Sequence, residues 1–353
     1  MEKLVQKSTE FLKQLIQTPS FSKEEAKTAT LITNFFNAEG IACERIYNNI
    51  ICKNKFFDAT KPTLLLNSHH DTVKPNPNYT RNPFEPFETD GKLYGLGSND
   101  AGGCLVGLMA TFLHYYTQEH LKYNLLFVAS AEEEISGRNG IEAVIPVLPA
   151  VEAAIVGEPT LLQMAVAERG LMVLDCTAQG KPGHAARKEG ENAISKAIED
   201  IIWFHSYKFE KASPLLGENR MTATVIETEN KAHNVVPGTC NFVVDVRVNE
   251  LYTFDEVLNE IKQHIRSEIK PRSTRLRSTF ISNDHFLVKA GTEMGKTYYG
   301  SPTTSDKALM PFPALKIGPG DSARSHSADE YIYLQEIEKG IRDYIELVNK
   351  VCK

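Results

Sequence analysis

Four short apolar runs set the frame of the chain. Lys61–Ser68, Asn124–Ser130, Val151–Gly157 and Pro313–Gly318 are largely apolar at consecutive positions, as expected of strands covered on both faces in a parallel sheet. Imidazole or carboxylate side chains come after each: His69, His70 and Asp71; Glu132, Glu133 and Glu134; Glu158; and, a few residues on, His326. Open α/β sheets bind ligands beyond the carboxyl ends of their strands, so the placement predicts one site at one sheet edge. Scattered surface acids would show no such preference. Between the runs the spacing turns helical. Leu4, Phe11, Leu12, Leu15 and Ile16 share one face of a helix over residues 1–17, and Leu31, Ile32, Phe35 and Phe36 point a second, Glu24–Ala38, at the core, with Gly40 as its stop. Cys104–Tyr116 and Ile141–Leu148 read as further helices.

The middle of the chain differs. Leu171–Ala178 alternates as a strand, and Asn192–Phe209 is a helix with Ile194, Ala197, Ile198, Ile201 and Ile202 on one side. Met221–Glu227 and Cys240–Val248 are strands, Phe254–Ile269 a helix and Arg275–Ile281 a last strand. This β-α-β-β-α-β order is a self-contained ferredoxin-like unit. Since the strand before His326 lies beyond it, the unit reads as an insertion. Residues 1–166 and 276–353 then form one catalytic domain in two parts, and residues 167–275 the inserted α+β domain. A length of 353 residues already favours two domains, because single cores stop growing at roughly 250–300.

Composition narrows the partners. Lys and Arg number 39 against 45 Asp and Glu, a formal charge of −6, and no basic run is long enough to track a phosphate backbone. Nucleic acid is therefore not an expected partner. No stretch approaches about 18 apolar residues and the N-terminus lacks a signal-peptide core, so no membrane association is expected and the protein is placed in the cytoplasm. Cys43, Cys52, Cys104, Cys176, Cys240 and Cys352 form no C-x-x-C pair and read as buried apolar residues. A metal, if bound, must be held by imidazoles and carboxylates.

The chemistry turns on three clusters. Three consecutive glutamates repel one another, so Glu132–Glu134 is either a solvated acidic loop or surrounds a cation. In extended chain His69 and Asp71 point one way and His70 the other, which suits a ligand imidazole whose second N–H is held by a carboxylate; a surface His-His-Asp cluster is the plainer reading. Asp100 follows Gly95-x-Gly97, but the third glycine of a dinucleotide fingerprint is missing and no strong strand precedes it. Asp100 is therefore an N-cap or a metal carboxylate.

Taken together, Ser68–Val73, Gly97–Gly103, Glu132–Glu134, Gly157–Thr160, Gly183-His184, Asn234–Pro237 with Asp245–Arg247, and Gly318–His326 resemble, in order and over nearly the whole chain, the motifs of the zinc-dependent amidohydrolases that include acetylornithine deacetylase, succinyl-diaminopimelate desuccinylase and carboxypeptidase G. The resemblance implies a zinc-peptidase-like mixed sheet flanked by helices, with the insertion as a lid that also dimerises, hence a homodimer. It implies two Zn2+, replaceable by Co2+, with Asp100 bridging, His69 and Glu158 on one ion and Glu134 and His326 on the other. Glu133 would be the general base, Asp71 the partner of His69, and His184 an oxyanion-stabilising residue that reaches a neighbouring subunit's site. Asn234 and Arg247 would hold the substrate, the arginine as a fork on a carboxylate. Two details depart from the pattern: Glu132 replaces an aspartate found in many relatives, and His70 stands between His69 and Asp71. The implied activity is hydrolysis of the amide of an N-acyl amino acid, with N-acetylornithine the nearest description. N-succinyl amino acids, dipeptides, and metal binding without turnover are the alternatives.

Overall fold

In the computed structural model, which describes residues 1–187 and 189–353, the four apolar runs become adjacent strands of one sheet. Thr63–His69 pairs in parallel with Asn124–Ser130 on one side and Val151–Val156 on the other, and Ala314–Lys316 continues in parallel beyond Val151–Val156. A hairpin, Cys43–Ile46 and Asn49–Lys53, lies antiparallel along Asn124–Ser130, and Met164–Glu168 runs antiparallel to Ala314–Lys316. The sheet is thus mixed, with its parallel strands in the centre.

Every residue of Thr63–His69 and Asn124–Ser130 is buried, which explains their unbroken apolar reading. Phe127 turns to one face, where it meets Phe36 and Phe112 from the helices Ala26–Ala38 and Gly103–Tyr115. Leu126 and Val128 turn to the other, against Ile51, Ile141 and Val144. Because Thr63–His69 has its two parallel neighbours on opposite sides, its carboxyl end is a topological switch point, where such sheets leave a crevice.

Two compact units emerge: Met1–Val166 with Ile281–Tyr299 and Ser305–Lys353, and Ala167–Phe280 with Gly300–Thr304. The second runs past the 275 expected for the insertion. Its four antiparallel strands lie in the order Arg220–Glu227, Thr239–Val248, Gly170–Gln179, Glu268–Pro271, and alternate residues of Thr239–Val248 are buried under the helices Ala193–Ser206 and Phe254–His264.

Several expectations change here. The second helix of that unit stops at His264 instead of Ile269, the fourth strand is Glu268–Pro271, and of Arg275–Ile281 only Thr279–Phe280 is a strand. Asp200 supplies the reason: its buried carboxylate accepts the amides of Arg266 (3.2 Å) and Ser267 (2.9 Å), giving the chain other partners than the helical ladder. The isoleucine face of Ala193–Ser206 also divides. Ala193, Ala197, Asp200 and Phe204 are buried, whereas Ile198 and Ile202 are 46% and 61% exposed. Ile141–Leu148 is α-helical only to Val144, and the segment with Pro146 tightens into a 3-10 turn. All six cysteines are free, and only Cys43 is not fully buried. Among the described residues no helix is long and apolar enough to cross a membrane.

Candidate metal centre

The central strands bring their carboxyl ends to one edge, and the residues beyond them converge there. His69 closes its own strand, Glu133 and Glu134 occupy a short 3-10 turn after Asn124–Ser130, and Glu158 follows Val151–Val156. His326 arrives from the segment after Ala314–Lys316, and Asp100 from a π-turn, Ser98–Gly102. Asp100 is no N-cap, since the helix that follows starts without any side-chain cap bond.

Asp100 stands between the two histidines. Its Oδ1 lies 3.2 Å from His69 Nε2 and its Oδ2 3.6 Å from His326 Nε2. Glu158 Oε1 is 3.7 Å from the same His69 nitrogen, and Glu134 Oε2 is 2.9 Å from the same His326 nitrogen. Two sets of donors therefore share one carboxylate. Donor atoms of His69, Asp100 and Glu134 lie within 4.8 Å of one another, as do those of His69, Glu133 and Glu158.

His70 turns away from this cluster, as the alternation predicts. Its Nε2 donates to the Asn48 carbonyl and its Nδ1 accepts from the Thr28 hydroxyl, both at 2.9 Å, and burial pushes its pKa down to about 4. A neutral ring with both nitrogens engaged is not available as a ligand.

Asp71 does more than partner His69. His69 Nδ1 lies 2.9 Å from the backbone carbonyl of Asp71 and 3.5 Å from its Oδ1, so the main chain is the nearer partner of the imidazole N–H and the carboxylate the second. The carboxylate also reaches the glutamate run. Oδ1 accepts the amide of Glu133 (3.1 Å), and Oδ2 accepts the amide of Glu134 (3.2 Å) and the hydroxyl of Ser22 (2.7 Å).

Three further buried carboxylates escaped the sequence reading. Glu25 accepts the amides of Lys23 (2.6 Å) and Glu132 (3.2 Å). Glu330 accepts those of Gly97 (3.1 Å), Asn99 (2.8 Å) and Asp100 (2.9 Å). Asp306 accepts the Ser130 hydroxyl at 2.5 Å. The sole signal was for Glu330, an acid four residues after His326; nothing in the spacing around Glu25 or Asp306 marks either.

Charge at this edge is strongly unbalanced. Asp71, Asp100, Glu133, Glu134 and Glu158 face only two imidazoles. Burial, then repulsion from Glu158, lifts the Glu133 carboxyl far above the usual carboxylate range. The bond to Glu134 raises His326 to about 9 against the effect of burial, and burial followed by the Asp100 charge raises Glu330 to about 8. Burial opposes protonation of His69, but the Asp100 and Asp71 carboxylates outweigh it and hold the imidazole well above its ordinary value. A pocket of surplus carboxylate with two imidazoles and no thiolate suits divalent cations such as zinc or cobalt.

His184, Asn234 and Arg247 belong to the second unit. Gly183-His184 pairs antiparallel with Val235-Val236, which brings His184 and Asn234 together; the Ala185 amide donates to the Asn234 carbonyl at 3.0 Å. Arg247 is engaged by its own strand, Nε and Nη2 donating to Asp245 at 2.8 and 3.1 Å.

Residues 65–350 match peptidase family M20/M25/M40. The chain belongs to that family. M20 enzymes are dinuclear zinc or cobalt metallohydrolases, and the donor set at the sheet edge fits such a centre. Among curated M20 relatives, succinyl-diaminopimelate desuccinylase 2 of Ruegeria sp. is 24% identical, across 96% of this chain and 95% of the relative. The aminopeptidase PepT of Bacillus cereus superposes with a TM-score of 0.79 at 17% identity, covering 98% of each chain. The YXEP protein of Bacillus subtilis, described as a dinuclear metal binding peptidase, reaches 0.74 at 15% identity over 99% of this chain and 98% of its own. At these identities the structural likeness establishes the M20 fold.

Asp71→Asn offers an NH2 group to one of the two glutamate amides and keeps the side-chain volume. Zinc affinity, read by competition with a chromophoric chelator, is expected to fall about 10–100-fold. Affinity equal to the parent's would leave Asp71 without a part in holding the centre.

Proposed function

We propose that this M20 hydrolase cleaves the amide bond of an N-acylated amino acid and that the acyl group is succinyl. The observation that carries the hydrolytic reading is Asp100, whose two carboxylate oxygens are divided between His69 and His326. In this assignment Asp100, His69 and Glu158 would hold one ion and Asp100, Glu134 and His326 the other. Such ions would supply a polarised substrate carbonyl and a water acidified toward a pKa of roughly 7.

The protein's own groups do the rest. Glu133 is the general base: burial and the neighbouring Glu158 raise its affinity for a proton, which lets a carboxyl accept one from the attacking water and pass it to the leaving amine. Asp71 holds the amides of Glu133 and Glu134, and so holds both side chains' origins. Asn234 and Arg247 bind the substrate. Arg247 gives Nε and Nη2 to Asp245, and its remaining N–H groups can meet a carboxylate. His184 is assigned to the oxyanion, in the site of a partner subunit.

The succinyl group rests on the curated relatives, several of which are succinyl-diaminopimelate desuccinylases at 23–24% identity. The acetyl group of N-acetylornithine stands second, on the motifs alone. Amine release should be measured for N-succinyl-diaminopimelate, N-succinylornithine, N-acetylornithine and a dipeptide, with the protein metal-stripped and then supplied with zinc or cobalt. Metal-dependent release from a succinyl substrate above the others is expected. Preference for the acetyl compound or the dipeptide would overturn the acyl assignment, and silence across the panel with metal bound would overturn the hydrolytic one. On the active substrate, Glu133→Gln should retain both ions and lose about 10²–10⁴ in kcat; unchanged turnover would remove Glu133 as base.

We also propose a homodimer through the second unit. Ile198 and Ile202 on the helix, and Val225 and Ile226 on the edge strand Arg220–Glu227, are apolar side chains left in water, 46%, 61%, 47% and 52% exposed. Sedimentation should show a dimer that Ile202→Asp shifts toward monomer. A parent that sediments as a monomer refutes this.

A further inference from the structure

We infer that Glu330 is the positioning residue that sets Asp100 between the two halves of the metal centre. The inference rests on the assignment of Asp100 and His326 as metal ligands and adds a residue that touches neither ion nor substrate.

The Glu330 carboxylate is buried, 2% exposed, and contacts the very segment that carries Asp100. Oε1 accepts the Asn99 and Asp100 amides at 2.8 and 2.9 Å, and Oε2 accepts the Gly97 amide at 3.1 Å. Asp100 itself has non-helical backbone angles, φ −116° and ψ 99°, so no regular ladder fixes its amide. Gly97 takes a positive φ of 74°, and a Cβ there would come within 2.6 Å of Thr72 Cγ2, so the turn that aims these amides at one acceptor needs glycine at this point.

Glu330 is in turn fixed on its own side. Its backbone carbonyl accepts the Gly95 amide at 3.0 Å, and Tyr331–Tyr333 pairs with Lys92–Tyr94. One residue earlier, Asp329 accepts the amides of Thr80 and Arg81 at 2.9 and 3.1 Å. The turn from His326 to Glu330 thus carries one ligand at its start and, at its end, the anchor of the carboxylate that both halves share. Both oxygens of Asp100 are correctly aimed only while that turn and the Gly97–Asp100 segment keep their mutual distance. A buried charge is costly to hold, and an apolar residue would fill the space without that cost; what it would lack is an acceptor for three converging amides.

The test compares the parent with Glu330→Gln, which keeps the volume but turns an NH2 toward an amide donor, and with Glu330→Asp, which keeps the carboxyl group but draws it back. Zinc stoichiometry and affinity, the visible spectrum of the cobalt-loaded protein and the melting temperature of the metal-free protein are measured together. Glu330→Gln should melt near the parent yet bind zinc about 10–100-fold more weakly, with an altered cobalt spectrum. Glu330→Asp should fall between the two. A folded Glu330→Gln protein with the parent's affinity and spectrum overturns the inference; should that variant not fold, a parent-like Glu330→Asp protein does so instead. A parent that takes up no ion refutes the metal centre and this inference with it. A parent that binds two ions beside an indistinguishable variant refutes only the role of Glu330.

Discussion

Negative charge gathered out of water is the constraint around which the first unit is arranged. Two like charges 4 Å apart repel by about 4 kcal/mol at the effective dielectric found near protein surfaces. Asp71, Asp100, Glu133, Glu134 and Glu158 all sit at one sheet edge with two imidazoles for company. The fold meets that repulsion with backbone N–H groups: consecutive amides of the glutamate run donate to Glu25 and Asp71, and those of the Asp100 turn to Glu330. The donors that hold the loops still are main-chain groups, while the side chains of Asp100, Glu133 and Glu134 face the sheet edge. Bound cations reverse the local repulsion, so the arrangement that is strained by charge alone becomes favourable when metal is present.

The sheet makes this economical in chain length. Four parallel strands end at the same level, so a ligand needs to lie only a few residues past each end to reach the others. His69 needs none, since it is the last residue of its strand. His326 lies furthest along the chain from its strand, and its segment is held from outside, with Asp329 bound to Thr80 and Arg81, and Glu330 to the Asp100 turn. The Pro- and Asn-rich stretch over residues 75–86 serves as part of that clamp; Asn76 donates to the His326 carbonyl at 3.3 Å.

Legibility followed the range over which each feature is encoded. The central strands could be read because burial on both faces leaves a local mark, and the convergence of His69, Glu133, Glu134, Glu158 and His326 followed from strand order, whereas Asp100, with no strong strand before it, was placed only by the family resemblance. The division of work around Asp71 could not be read, because alternation gives the direction of a side chain and not which of several nearby amides it accepts. Asp306, Glu330 and the bond of Glu25 to Glu132 were hard to read for a related reason: those partners lie 107 to 230 residues away along the chain. The end of the helix at His264 failed similarly, since the apolar spacing runs on through Ile265 and Ile269 while Asp200, distant in sequence, captures the amides that would have continued it.

The three consecutive glutamates show how backbone conformation separates residues that sequence leaves equivalent. Glu132 adopts a left-handed conformation, φ 54°, and its carboxylate accepts from the Asn139 side chain at 3.1 Å, on the inner side of the loop. Gly137 leaves room for it: a Cβ there would fall 2.5 Å from Glu132 Cβ and 1.9 Å from its Oε2. Glu132 is therefore spent on the loop itself. The left-handed residue reverses the chain so that the next two amides both meet Asp71, and the side chains that follow diverge, Glu134 to His326 and Glu133 toward His69 and Glu158. Of the three, Glu133 is the one beside Glu158 without a close histidine bond, and desolvation with the repulsion of Glu158 keeps its proton affinity high. Repulsion between neighbours, which first marked this stretch as unusual, is thus relieved by sending the three charges to three different places, and the one beside Glu158 is the one suited to carry a proton.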